Sequence, residues 1–207
     1  MAARFPGEEL FDRVARVVCE AGCLPRKELY EAWEVARRVR RRFRGGRVMD
    51  LACGHGLLAH LLVLLDDTSA EAFAIDTRIP PSAARLSAAM ISRWPRLAGR
   101  VQTREVRMED VPLLAGDLVV SVHACGGLTD SVLERATDAR ARVAVLPCCH
   151  DLKTADDGGL KGWLDGPLAV DVTRAARLTA RGYTVHTQHI PLAITPKNRL
   201  LLACPSP

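Results

Sequence analysis

Two short segments hold most of the side chains able to move a proton, attack an electrophile or bind a metal. They are S-V-H-A-C-G-G-L-T-D, Ser121 to Asp130, and L-P-C-C-H, Leu146 to His150. Three uses compete for His123, Cys125, Cys148, Cys149 and His150. An imidazole titrates close to neutral pH, so His123 can act as a general base or orient an acceptor hydroxyl or amine. Thiolate and imidazole are also the usual ligands of zinc. Alternatively, the thiols serve as small hydrophobes that shape a pocket. The segments lack the closely spaced cysteine pairs of a structural zinc site, and adjacent cysteines chelate one metal poorly. No metal ligand is therefore assigned, and Cys148 and Cys149 are expected as buried thiols at a strand end.

A second group of residues suits a nucleotide-like ligand. In V-M-D-L-A-C-G-H-G, Val48 to Gly56, an apolar strand ends in a glycine turn that opens a helix. Gly54 and Gly56 let backbone approach a ligand closely, and a helix amino terminus favours electron-rich groups. Asp76 stands 20 residues beyond Gly56, at the end of the next apolar run. A carboxylate there can accept from both hydroxyls of a ribose.

Such residues work only if strands deliver them to one edge. Apolar spacing predicts helices over residues 7–22 and from Pro25 to about Phe43, together a helical segment spanning 1–45. From there to residue 207, strands and helices alternate. Strands are expected at Arg47–Ala52, Ala72–Asp76, Val101–Val106, Asp117–His123, Arg142–Pro147, Tyr183–Ile190 and Asn198–Ala203. Helices are expected at Gly56–Asp66, Pro81–Trp94, Leu128–Asp138 and Leu168–Ala180. This alternation predicts a Rossmann-like, doubly wound α/β fold with a mostly parallel sheet covered on both faces. The last two strands are joined too tightly for a crossover helix, so they pair antiparallel or one inserts between others. Ligands of such sheets bind beyond the carboxyl ends of the strands, where both chemical segments fall.

Composition narrows the class. The 207 residues are 48% hydrophobic and 26% charged, which suits a globular chain and not a disordered one. No apolar run approaches the roughly 18–20 residues of a membrane span. The opening M-A-A-R-F-P-G-E-E-L has no signal-peptide core, so a cytoplasmic protein with its seven cysteines reduced is expected. The net charge of +5, from 25 Arg and 4 Lys, permits a nucleic-acid partner. No membrane and no obligate protein partner is inferred.

The turn Gly54-His55-Gly56-Leu57-Leu58-Ala59 satisfies the loose dinucleotide pattern, which leaves a nicotinamide oxidoreductase as one alternative. With Asp50 separated by three residues from the G-x-G, and with the terminal antiparallel pair, the chain more closely resembles the class I methyltransferases dependent on S-adenosylmethionine. That resemblance implies that Asp50, Ala52, Gly54 and Gly56 bed the methionine end of the cofactor. It implies that Asp76 holds the ribose and that the loop of Met108, Glu109 and Asp110 flanks adenine. Arg107 occupies the position where the family often has an acid. His123 also falls at the cofactor edge, with Cys125, Cys148 and His150 facing the acceptor. His123, Cys125 and His150 are the catalytic candidates. The pairing of H-x-C-G-x-x-T-D with C-C-H, and the later I-T-P-K-N-R, resembles the methyltransferase domain of transfer-RNA acceptor-stem 2′-O-methyltransferases and related methyltransferase-like proteins. RNA is thereby the leading acceptor, with a small molecule, a protein, or a non-catalytic RNA-binding role as alternatives. The zinc-finger elements of the transfer-RNA enzymes have no counterpart here.

Further polar residues are candidates for substrate contact. Glu28 and Tyr30, beside Lys27 and Glu31 near the start of the second helix, are placed at the substrate entrance. Lys197 and Asn198 lie in the last hairpin loop. Arg37, Arg38, Arg40, Arg41, Arg42, Arg44 and Arg47 crowd eleven residues. They form either a phosphate-binding patch or a solvated helix face in which Glu34 pairs with Arg38. Asp171 and Arg174 read as helix surface.

Overall fold

The structure, a computed structural model, describes residues 4–207. The chain divides into two compact units, the first running to Val111 and the second from Pro112 to Pro207. No helix of the described residues is long and apolar enough to cross a membrane.

The first unit contains α1 (Leu10–Ala21), α2 (Arg26–Arg42), β1 (Val48–Leu51), α3 (Leu57–Leu65), β2 (Ala72–Asp76), α4 (Ser82–Arg93) and β3 (Val101–Glu105). Helix α1 stops at Gly22, whose φ of 61° lets its N–H turn back to the Val18 carbonyl. Strand β1 is buried throughout and pairs parallel with β2, Val48 opposite Ala72 and Leu51 opposite Ile75. Strand β2 pairs parallel with β3, whose residues are mostly exposed. Helix α3 is apolar on every side, and Leu57 through Leu64 are all buried. It packs against α2 as well as against β1 and β2.

Two arginines of the run, Arg40 and Arg44, belong to this packing. A helix leaves its last four carbonyls without internal partners. Arg40 donates to the Leu62 carbonyl (2.9 Å), Arg96 to that of Leu64 (2.5 Å) and Arg44 to that of Leu65 (3.2 Å), which caps the end of α3. Arg40 also reaches Ser69 Oγ (2.8 Å) and pairs with Asp66 (3.1 Å), both side chains of the pair being 3% exposed. Burial alone would raise the Asp66 pKa. Hydrogen bonds from Thr68 and Gly45, with the Arg40 charge, hold it below the usual carboxylate range. Arg37 and Arg38 pair with Glu34 as expected, and Arg47 lies over the Phe73 ring. Neither a phosphate patch nor a solvated face describes Arg40, whose side chain is an interior cap.

The second unit contains β4 (Leu118–Ser121), α5 (Gly127–Asp138), β5 (Arg142–Val145), α6 (Gly166–Ala180), β6 (Tyr183–His189) and β7 (Arg199–Pro205). Strands β4 and β5 are parallel. Strand β7 lies between β5 and β6 and runs antiparallel to both, so the two alternatives for the last strands hold together. Helix α6 starts at Asp165, whose carboxylate accepts from the Leu168 N–H (3.3 Å). Observed elements begin and end within one or two residues of expectation, except that α1 begins three residues later, at Leu10; β4 stops two residues short, which leaves His123 in a loop.

Arg40→Met should remove the buried cation beside the Asp66 carboxylate and leave only exposed Arg44, at 3.8 Å. The expected loss is about 3–5 kcal/mol of unfolding free energy, read from urea denaturation.

Candidate active site

In the first unit the glycine turn is built by three left-handed residues, Ala52, Gly54 and Gly56, with φ of 55°, 54° and 74°. Ala52 alone among them carries a Cβ, so its conformation costs about 1–2 kcal/mol. A Cβ on Gly56 would stand 3.0 Å from that of Ala74, whereas one on Gly54 would meet nothing within 4 Å. Gly56 is thus required by packing, and Gly54 presents bare backbone to open space.

Two carboxylates hold this turn. Asp50, 2% exposed, accepts from the Ala59 N–H at 3.1 Å. Ala59 lies in the first turn of α3, whose own cap residue, Gly56, has no side chain. Asp50 therefore supplies the missing capping acceptor from the strand. Burial pushes its pKa up to about 8, aided by the neighbouring Asp76 and opposed by the Ala59 hydrogen bond. Asp76 ends β2, half-buried. One of its oxygens accepts from the Gly54 N–H (2.9 Å) and the other from the Arg78 N–H (3.3 Å).

The loop after β3 closes the same edge. The Val106 N–H donates to the Asp76 carbonyl (2.9 Å), and Glu105 accepts from the Ile79 N–H (2.9 Å). Glu105 thus braces the loop after β2, a role its place in an exposed strand did not signal. Met108 is buried in a single 3-10 turn, with Glu109 and Asp110 exposed beside it. Arg107 pairs with Glu109 at 3.3 Å. His55 contacts Ser82 Oγ (2.9 Å), and His60 is a buried histidine bonded to the Gly56 carbonyl and to Ser87. Glu28 and Tyr30 are half-buried near the start of α2, Tyr30 packing on Phe11 with centroids 5.1 Å apart. Glu31 is buried and paired with Lys27.

In the second unit three thiols converge. The sulfur atoms of Cys125, Cys148 and Cys149 all lie within 4.8 Å of one another, those of Cys125 and Cys148 at 3.1 Å. The expectation of buried thiols fails here: Cys149 and Cys125 are exposed and Cys148 is half-buried. Strand β5 ends at Val145, so Cys148 and Cys149 follow in irregular chain, free of the alternation that turns neighbouring strand residues apart. Burial pushes the Cys148 thiol up to about 12, with Cys125 adding to the effect. Hydrogen bonds from Cys125 and Cys148 hold Cys149 below the ordinary thiol range, aided by Lys197, whose Nζ lies 3.7 Å from its sulfur.

The other candidates are placed differently. His123 is half-buried just past β4. His150 points into a buried network, its Nε2 2.8 Å from Asp171. Asp171 also takes Arg199 (2.7 Å) and Arg174 (3.3 Å), and Arg174 forks onto Asp130 (2.7 and 2.8 Å). The Arg174 side chain is 2% exposed and that of Asp171 13%, so neither is helix surface. Their i,i+3 spacing with opposite charge was the signal available in the sequence. Asn198 closes the last hairpin, exchanging two hydrogen bonds of 2.9 Å with Ile190.

A family model described as a methyltransferase domain matches residues 27–155. No curated protein matches the chain. Among solved structures, it is similar to a ribosomal protein L11 methylase from Lactobacillus delbrueckii subsp. bulgaricus (11% identity, 87% of this chain and 79% of that one, TM-score 0.53). It is also similar to a precorrin-6y C5,15-methyltransferase from Geobacter metallireducens GS-15 (11% identity, 89% and 90%, TM-score 0.53). A third is an O-methyltransferase family protein from Burkholderia thailandensis (16% identity, 94% and 59%, TM-score 0.51). At these identities the likeness shows the fold, a Rossmann-like α/β arrangement.

Two outcomes test this geometry. From about pH 4 to about 8 the folded chain keeps a proton on Asp50 that the unfolded chain releases, so this group lowers stability as pH rises through that window. Asp50→Asn should melt like the wild type near pH 4 and increasingly above it toward pH 8. In reduced protein kept in chelator, iodoacetamide should label Cys149 before Cys148 by mass spectrometry. Lys197→Met should raise the Cys149 pKa and slow its labelling at neutral pH.

Proposed function

The chain belongs to the methyltransferase-domain family, and we propose that it transfers a methyl group from S-adenosylmethionine to an oxygen or nitrogen acceptor on RNA. The observation that carries the cofactor assignment is the Asp76 carboxylate, hydrogen-bonded to the Gly54 N–H beside a turn face that a Cβ would not fill. The residues present fit the cofactor. A carboxylate with lone pairs to spare at a strand end accepts from ribose hydroxyls. The bare Gly54 backbone admits a ligand, and buried Met108 offers an apolar wall to a flat base.

S-adenosylmethionine supplies a methyl group on a positively charged sulfur. Asp76 orients the ribose while its second partner, Gly54, keeps the turn in register. Ala52 and Gly56 complete the turn beneath the methionine end. Asp50, protonated near neutral pH in the free protein, faces a cationic ligand by giving up that proton, so cofactor binding releases it to solvent. Glu109 and Asp110 border the base. In-line displacement needs the acceptor aligned with the methyl group, and alignment supplies most of the rate. The H-x-C-G resemblance makes His123 the candidate for taking the acceptor proton. His150, held by Asp171, positions the C-C-H segment.

RNA is favoured by where the charge lies. The first unit carries +4 of the chain's +5, from 19 Lys and Arg against 15 Asp and Glu. Within the arginine run Arg40 is buried and Arg44 donates to the end of α3, while Arg41 and Arg42 are exposed at the last turn of α2. Exposed Arg78 and Arg107 instead follow β2 and β3, at the same strand ends as Asp76. Arg26 and Lys27 are exposed at the start of α2. The last turn of α2 meets the last turn of α3, so its first turn points toward the glycine turn. Cations on that edge suit a polyanionic substrate. The H-x-C-G and C-C-H segments, which resemble those of the transfer-RNA acceptor-stem enzymes, support the same choice.

Isothermal titration with S-adenosylhomocysteine should show binding that Asp76→Ala weakens at least about tenfold, the worth of a hydrogen bond to a charged group. Titrations in buffers of differing ionisation heat should report a released proton when S-adenosylmethionine itself is added at pH 7. With tritiated methyl donor and separate RNA, protein and small-molecule extracts, label should enter RNA and fall with added salt. Label confined to protein or to small molecules would overturn RNA as the acceptor.

A further inference from the structure

The three thiols of the second unit have no role in the reaction just described, and burial does not explain them. Cys125 and Cys149 are exposed, so apolar packing is not what holds them together. Their loops are instead fixed by polar contacts behind the sulfur atoms. The Gly126 N–H donates to the Cys149 carbonyl (3.1 Å), which ties the loop after β4 to the loop after β5. Thr129 Oγ1 donates to the Ala124 carbonyl (2.6 Å), and Arg174 donates to the Gly126 carbonyl (3.2 Å). His150 anchors the residue next to Cys149 onto Asp171. Buried charged groups thus hold each loop from behind while the sulfur atoms face outward.

We propose that Cys125, Cys148 and Cys149 form a three-thiolate site for one zinc ion, with its fourth position open to solvent. The donor chemistry is that of zinc, which takes thiolate sulfur at about 2.3 Å and so places tetrahedral sulfur atoms about 3.8 Å apart. The three sulfur atoms already lie within 4.8 Å of one another. Cys125 and Cys148, at 3.1 Å, need to separate by about 0.7 Å, a small side-chain rotation at a half-exposed site. Charge balances as well. Three thiolates and a divalent cation leave one negative charge, and Lys197 Nζ stands 3.7 Å from the Cys149 sulfur. Among the described residues no fourth His, Cys, Asp or Glu joins the group. Three protein ligands with an open position is the pattern of zinc sites that bind water or a further ligand, not of closed structural ones. On binding, the thiol protons leave to solvent.

The test uses the full chain, reduced and stripped with chelator. Zinc titrated against a chromophoric chelator should bind with one equivalent per chain. Cobalt(II) should give the near-ultraviolet charge-transfer bands of thiolate ligation and the visible bands of a tetrahedral ion. Cys125→Ser and Cys149→Ser, both at exposed positions, should each lower zinc affinity at least about tenfold, whereas Cys23→Ser should bind as the wild type does. Far-ultraviolet circular dichroism of each variant establishes that it is folded. Absence of stoichiometric zinc in the reduced wild type would overturn the site, as would unchanged affinity in folded Cys125→Ser and Cys149→Ser. A stable disulfide among the three cysteines, with no metal bound after its reduction, would overturn it too. S-adenosylhomocysteine binding measured on the same samples reports the cofactor bed independently, so failure of one assignment leaves the other standing.

Discussion

The hydrogen bond from the Gly54 N–H to the Asp76 carboxylate is the contact on which the glycine turn depends. Three left-handed residues in a five-residue turn do not hold themselves in place. Ala52 in particular carries a strain that needs an external partner. A carboxylate acceptor makes a hydrogen bond roughly twice as strong as a neutral one. It also links the end of β1 to the end of β2 at the point where both strands stop. Asp50 works on the other side of the turn by capping α3 from inside the sheet. The two acids lie close enough that the charge on Asp76 helps keep Asp50 protonated.

The second unit solves a similar problem with the opposite balance of charge. Its loops are held by Asp171, which gathers His150, Arg174 and Arg199, and by the fork of Arg174 on Asp130. Burial alone would raise the Asp171 pKa, but His150 and Arg199 bring it down below the ordinary range. The group stays ionised inside the protein because each of its oxygens has a partner. Such a network has little tolerance for the loss of a member, since the remaining charges would be buried unpaired. It is suited to fixing loops, and His150 belongs to it as an anchor whose ring is already engaged.

Much of this was legible in the amino-acid order. Period and turn residues located every long element, because the strands are continuous apolar runs and α3 is apolar all round. The G-x-G motif located the left-handed turn that Asp50 and Asp76 hold, because those positions require particular backbone freedom. Contacts that join distant segments were not legible. Nothing local shows that the guanidinium of Arg40 turns inward to the Leu62 carbonyl, since an arginine on a helix looks the same whether it caps a neighbour or faces water. The same holds for Asp171 and Arg174. The thiols were misjudged for a related reason. Adjacent cysteines diverge on an extended strand, and only the irregular chain after Val145 lets both approach Cys125.

The end of α3 also decides how the chain's basic character should be understood. Densely placed arginines suggest a polyanion-binding surface, but a helix leaves its last carbonyls without internal partners. Donors must come from neighbours, and arginine can donate several hydrogen bonds while keeping its stem among apolar groups. Arg40, Arg44 and Arg96 meet that demand. Arg40 is thereby withdrawn into the interior, although Arg41 and Arg42 beside it are exposed.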